Sequence, residues 1–160
     1  HALETARVLN EIGKPDYKRL RSLAVRRGAP LYGKVASGEF EPLSDEEMVA
    51  EIRLLVENLS CSANLVSDHI ANLLWEVEGK LPEDKEDILQ TIDHYMGMPE
   101  IERLRFRLRR RLLSYLQIYG SLTEELKPVV AEAQEALQAS SPEAKYKVDK
   151  AIEALKQGFM

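Results

Sequence analysis

The spacing of apolar residues from Ile70 onward constrains this chain more than any other feature. They recur at three- and four-residue steps, the period that sets one side of an α-helix against a core. Ile101, Leu104, Leu108, Leu112, Tyr115 and Tyr119 form one long stripe. Ile88, Leu89, Ile92 and Tyr95 form another, after a turn at 76–82. Local signals delimit two more helices. Ser121-Leu122-Thr123-Glu124 reads as a capping box, opening a helix that Pro128 confines or kinks and that ends near Leu137. Ser141 ahead of Pro142 introduces the last helix, in which Tyr146, Val148, Ile152 and Leu155 follow and Gly158 is the stop. Short turns between these helices imply an antiparallel bundle.

The first half is mixed. Leu3 to Ile12 is amphipathic, Gly13-Lys14-Pro15-Asp16 is a breaker cluster, and Tyr17 to Val25 alternates as a strand does. Gly28 to Leu43, with Gly33, Gly38, Pro30 and Pro42, holds no period and reads as a long loop, of a kind that is functional or belongs to a neighbouring part. Ser44-Asp45-Glu46-Glu47 is a capping box, and Met48, Ile52, Leu55, Val56 and Leu59 fall on one face of the helix it opens. Ala63 to His69 is a second strand, which gives a right-handed parallel βαβ unit. Parallel strands need cover on both faces, and two alone do not make a stable sheet. With His1 where an initiator methionine is expected, this points to a larger fold of which the chain is a part. The expected class is mainly α, an antiparallel helical bundle with a small parallel two-strand βαβ remnant near the N-terminus. Residues 1–96 form the first domain and 97–160 a C-terminal helical extension.

Composition narrows the function classes. Hydrophobic residues at 44% and charged ones at 31% are those of a chain that buries a core. No apolar run approaches the roughly 18 residues needed to span a bilayer, and no secretory leader is evident. Cys61 is the single cysteine, so an internal disulfide is excluded. These features predict a cytoplasmic protein with no membrane partner. A net charge of −5 makes nucleic acid an unlikely general partner. Yet Ile101 to Gly120 holds six arginines and one acid, Glu102.

On a helical projection, Arg103, Arg107, Arg110 and Arg111 lie opposite the leucine stripe, where solvent suffices. Arg105 and Arg109 fall on or beside the stripe, where a guanidinium needs a carboxylate, carbonyl or phosphate, so these two are expected to be buried and paired. Asp68 and His69 join a carboxylate and an imidazole at the end of the second strand, where sheet enzymes present reactive groups. The competing reading makes Asp68 a helix cap and His69 a hydrogen-bonded loop residue. A hydrolytic triad lacks its Gly-x-Ser-x-Gly elbow, and no zinc-ligand spacing occurs around Asp68, His69, Glu76 and Glu78, so no metal site is expected in the chain. Arg26 and Arg27, before Gly28-Ala29-Pro30-Leu31-Tyr32, offer an anion contact without a phosphate-loop fingerprint.

The order Arg19-Leu20-Arg21-Ser22-Leu23-Ala24-Val25, Gly28-Ala29-Pro30-Leu31-Tyr32, Gly38-Glu39-Phe40 and Leu43-Ser44-Asp45-Glu46-Glu47 resembles the late part of radical SAM enzyme barrels. Ser67-Asp68-His69-Ile70 and Glu76 to Lys85 look like the tail of a bacterial group of iron–sulfur oxidoreductases. The resemblance covers roughly residues 1 to 96. It implies a [4Fe-4S] cluster on a three-cysteine loop, and S-adenosylmethionine, in the full-length protein. Neither cofactor is expected in this chain, which lacks that loop. Ala29 and Arg27 replace the family loop's threonine and proline. Arg21, Asp68 and His69 would then border the substrate cavity.

Two functions are expected on these grounds. The first is the C-terminal accessory portion of a radical SAM iron–sulfur oxidoreductase, inactive alone, partnered by the missing N-terminal barrel or, in its absence, by a second copy as a homodimer. The alternative is a stand-alone helical interaction module whose basic helix binds an acidic protein or a nucleic-acid backbone.

Overall fold

The structure, a computed structural model, describes residues 1–12 and 16–158. Most of the breaker cluster at 13–16 therefore lies outside the described residues. Seven helices and three short strands are described, so the mainly α class holds. The chain divides into two units, His1–Ser22 with Leu43–Gly97, and Leu23–Pro42 with Met98–Met160.

The first unit begins with α1 (Ala2–Ile12), followed by β1 (Tyr17–Arg19), α3 (Asp45–Asn58), β2 (Ala63–Val66), β3 (Gly79–Leu81) and α4 (Lys85–Met96), while α2 (Tyr32–Ala36) belongs to the second unit. Ser44 caps α3 as its sequence requires. Its hydroxyl accepts from the Glu47 amide at 3.2 Å, and the Glu47 carboxylate accepts from the Ser44 amide at 2.8 Å. β1 and β2 pair in parallel through this helical crossover, with Tyr17 opposite Asn64 and Arg19 opposite Val66.

Two expectations change here. The strands are shorter than Tyr17 to Val25 and Ala63 to His69. The segment 76–82, expected as a turn only, contributes β3, which pairs antiparallel to β2. The remnant is thus a three-stranded mixed sheet in the order β1-β2-β3. A three-residue strand is too short to show a period. Alternation sorts its two faces. Lys18, Leu20, Ala63, Leu65 and Leu81 are buried, whereas Tyr17, Arg19, Asn64 and Lys80 of the opposite face are exposed.

Side chains lock α1 and α4 to α3. The Asn10 amide donates to the Asn58 carbonyl at 2.9 Å and its oxygen accepts from the Ser60 amide at 2.9 Å. Lys85 Nζ donates to the Glu57 and Leu59 carbonyls, which the end of α3 leaves without helical partners. Arg53 on α3 meets Asp93 on α4 at 2.6 Å, and that guanidinium holds the Asp93 carboxyl below its ordinary value.

The second unit holds α2 with α5 (Glu100–Tyr119), α6 (Leu126–Gln138) and α7 (Ala144–Lys156). Leu104, Leu108, Tyr115, Val130, Ala133, Val148, Ala151, Ile152 and Leu155 form its core. Gly120, at φ 72°, takes the left-handed cap that ends α5. The Ser121 to Glu124 capping box does not form: α6 begins at Leu126, after a turn in which Thr123 O accepts from the Leu126 and Lys127 amides. Pro128 decides this. A helix capped at Ser121 would put the proline in its interior, where its ring clashes with the preceding turn, whereas a start at Leu126 puts it in the first turn, whose amides need no partner. Tyr146 is 70% exposed. The segment 23–42 groups with this bundle, and the Arg27 amide donates to Gln157 Oε1 at 3.0 Å.

Candidate functional site

The carboxyl ends of β1 and β2 deliver Arg19, Arg21, Asp68 and His69 to one corner of the first unit. Parallel strands end there side by side, and both run on into irregular chain. One buried side chain fixes both exits. Asn72, fully buried, accepts from the Ser22 amide at 2.8 Å and donates to the Leu20 carbonyl and to Ser67 Oγ, each at 3.0 Å. Ser67 Oγ in turn donates to the Leu74 carbonyl at 2.7 Å. The stretch after β1 is thereby clamped to the 67–74 loop after β2 by one satisfied amide.

Asp68 forms an ion pair with Arg19 at 3.2 Å, both side chains about half exposed. Its expected rival role as a helix cap does not arise, since 67–78 contains turns and no helix. His69 Nδ1 accepts from the Ala71 amide at 3.4 Å. Burial, then the Arg21 charge, push the imidazole below its ordinary value of 6.5, while Asp68 opposes them. An imidazole held toward its neutral form, beside a half-exposed carboxylate and two guanidinium groups, makes a polar corner whose arginines can hold an anion. The three sequence-predicted residues Arg21, Asp68 and His69 therefore come together here. Asn72 is the organiser that sequence reasoning missed, because a lone asparagine in a loop carries no period or motif.

The arginines of α5 are corrected. Arg105 and Arg109, expected to be buried, are exposed, and Arg105 pairs with Glu102 at 2.5 Å and donates to the Leu137 carbonyl. Arg107 and Arg111, expected in solvent, are 7% and 2% exposed. The buried side of α5 keeps Leu104, Leu108 and Tyr115 of the stripe and extends beyond it to Arg107, Arg111 and Ser114. Asp149 of α7 meets Arg107 at 2.8 Å, so the arginine's stem is buried while its guanidinium keeps a carboxylate partner. Cys61 is half-buried and free.

Among the described residues, no three His, Cys, Asp or Glu side chains are grouped to hold a metal ion, and no helix is long and apolar enough to cross a membrane. The chain matches no protein-family profile, no curated protein and no solved structure.

Proposed function

We propose that this chain is the C-terminal portion of a radical SAM iron–sulfur oxidoreductase, with the Arg21, Asp68, His69 corner on the wall of the substrate cavity. The observation that carries the reading is the asymmetry of the sheet. Its apolar face is buried, its opposite face exposes Tyr17, Arg19, Asn64 and Lys80, and β1 stands at an edge. A parallel pair normally continues into further parallel strands and has both faces enclosed. The antiparallel β3 terminates one side, so continuation falls to the β1 edge. A polar inner face suits a cavity wall.

On this reading the cluster and S-adenosylmethionine belong to the segment upstream of His1. Cys61 alone cannot supply the three thiolates of a cluster loop. The chain's own contribution is to position groups: Asp68 and Arg19 hold one another, and Asn72 holds the backbone that presents Arg21 and His69. The preceding barrel is the natural partner of the β1 edge. Without it, that edge favours pairing between two copies of the chain. A cytoplasmic location accompanies this reading.

Burial of Arg107 and Arg111 weighs against the alternative of a basic helix reading an acidic surface, because it withdraws two of the six arginines. The test is the coding sequence upstream of His1. The reading expects a Cys-x₃-Cys-x₂-Cys loop within about 250 residues, a barrel's length, and fails if none is encoded.

A further inference from the structure

The corner at the carboxyl ends of β1 and β2 has a charge and hydrogen-bond balance that selects what it can hold. The Leu20 amide donates to the Val66 carbonyl at 2.8 Å, so the pairing of Arg19 with Val66 runs on past the end of β1. Arg19, Arg21 and Asp68 are exposed, whereas the intervening Leu20 and Ser67 are buried. Alternation thus sets the three charged side chains on the open side of the sheet. Arg19 and Asp68 neutralise one another as an ion pair at 3.2 Å. Arg21 has no hydrogen bond or ion pair among the described residues, so its charge and its five donors are open to a ligand. It is near enough to His69 for its charge to act on the ring, as is Asp68.

The imidazole supplies a second donor. Its Nδ1 accepts from the Ala71 amide at 3.4 Å, so the neutral ring carries its proton on Nε2, which has no partner among the described residues. Both donors are held on backbone that Asn72 clamps, through the Ser22 amide and the Leu20 carbonyl. Arg19 and Asp68 cancel and the ring is neutral, which leaves the single positive charge of Arg21. A carboxylate matches that charge, and its two oxygens fit the guanidinium fork. A doubly charged phosphate brings one negative charge more than the corner balances, close to the Asp68 carboxylate.

We infer that this corner is a carboxylate-binding site, in which the Arg21 guanidinium holds both oxygens of the ligand's carboxylate and His69 Nε2–H donates to one of them. That the ligand is the enzyme's substrate rests on the function proposed above, whereas the carboxylate site belongs to residues 1–160 by themselves.

The test titrates the chain with acetate at about pH 7.5, where the ring is neutral, with ionic strength held constant by chloride, and follows ring and amide resonances. Saturable shifts at the His69 ring and the Asp68–Ala71 amides are expected, half-complete below about 100 mM, the weak range set by so few contacts. Methyl phosphate, doubly charged at that pH, should bind at least about threefold more weakly than acetate. Arg21→Gln should weaken acetate at least about fivefold and His69→Phe at least about twofold, each with an unchanged thermal midpoint. Arg7→Gln, which removes an exposed arginine of α1, should leave binding as it is. Asp68→Asn should strengthen methyl phosphate more than acetate, because the doubly charged ligand gains about twice as much from losing a neighbouring negative charge. Absence of saturable shifts with acetate, methyl phosphate binding the parent chain as tightly as acetate, or Arg21→Gln binding acetate as well as Arg7→Gln overturns the assignment. None of these outcomes depends on the upstream coding sequence, so failure of the carboxylate site and failure of the iron–sulfur reading are told apart.

Discussion

At the scale of single residues, His69 gives the most direct reading of the corner at the strand ends. Its imidazole is held below 6.5 by burial and by Arg21, against the pull of Asp68. Followed by its ring proton resonance, it should titrate below 6.5; Arg21→Ala should raise that value and Asp68→Asn should lower it further. The direction of the shift sets the linkage. As pH falls through 6.5 toward the folded value, the unfolded chain takes up the proton first, so this residue subtracts stability in acid and leaves it intact above 6.5. Lys18 makes a contrasting case. It is 7% exposed on the covered sheet face, and its Nζ is buried without a hydrogen bond among the described residues, which is costly. Lys18→Met keeps the stem and removes the amine, and should raise the unfolding free energy by about 1 kcal/mol in urea titration. A lower midpoint would contradict this description of the buried face. Asn72→Ala should do the opposite, costing roughly 2 kcal/mol or more, because it strands the Ser22 amide and the Leu20 carbonyl at once.

At the scale of elements, legibility tracked the range of the signal. Ser44 and Glu47 specify their helix start within four residues, and the structure shows that start unchanged. The same pattern at Ser121 and Glu124 was misleading because Pro128, beyond the box, has the stronger say over where a helix may begin. β3 escaped notice since a three-residue strand is defined by its partner β2 and not by its own alternation. The face of α5 is a tertiary matter too. Leucine is the commonest apolar residue along it, yet Arg107 and Arg111 are buried beside Leu104 and Leu108, and Arg107 meets the carboxylate of Asp149 on α7. That carboxylate is far away in sequence. Asp149→Ala should therefore cost about 1–3 kcal/mol, the value of a hydrogen bond to a charged group, read from the thermal midpoint. Replacing the pair by Arg107→Met with Asp149→Ala should recover much of that loss, as expected when a buried guanidinium is removed together with its half-exposed partner. No recovery would mean that Arg107 is held by contacts other than this one.

At the scale of the whole molecule, the two units differ in what they leave unfinished. The bundle of α5, α6 and α7 closes on its own core. The sheet unit buries one face, exposes the other and, among the described residues, keeps an unpaired edge at β1. The candidate corner was legible as residue types, since Arg21, Asp68 and His69 stand near strand ends in the sequence itself. Its construction was not, because Asn72 and Ser67 act through backbone groups that only the folded chain brings near. The central claim is that this chain closes a larger iron–sulfur enzyme. It is tested most directly by producing the polypeptide anaerobically with about 250 residues of its own upstream sequence, then measuring bound iron and S-adenosylmethionine consumption under reducing conditions. Four irons per chain and reductant-dependent consumption of S-adenosylmethionine, with neither given by residues 1–160 alone, is the predicted result. An upstream segment that binds no iron and consumes no S-adenosylmethionine contradicts it.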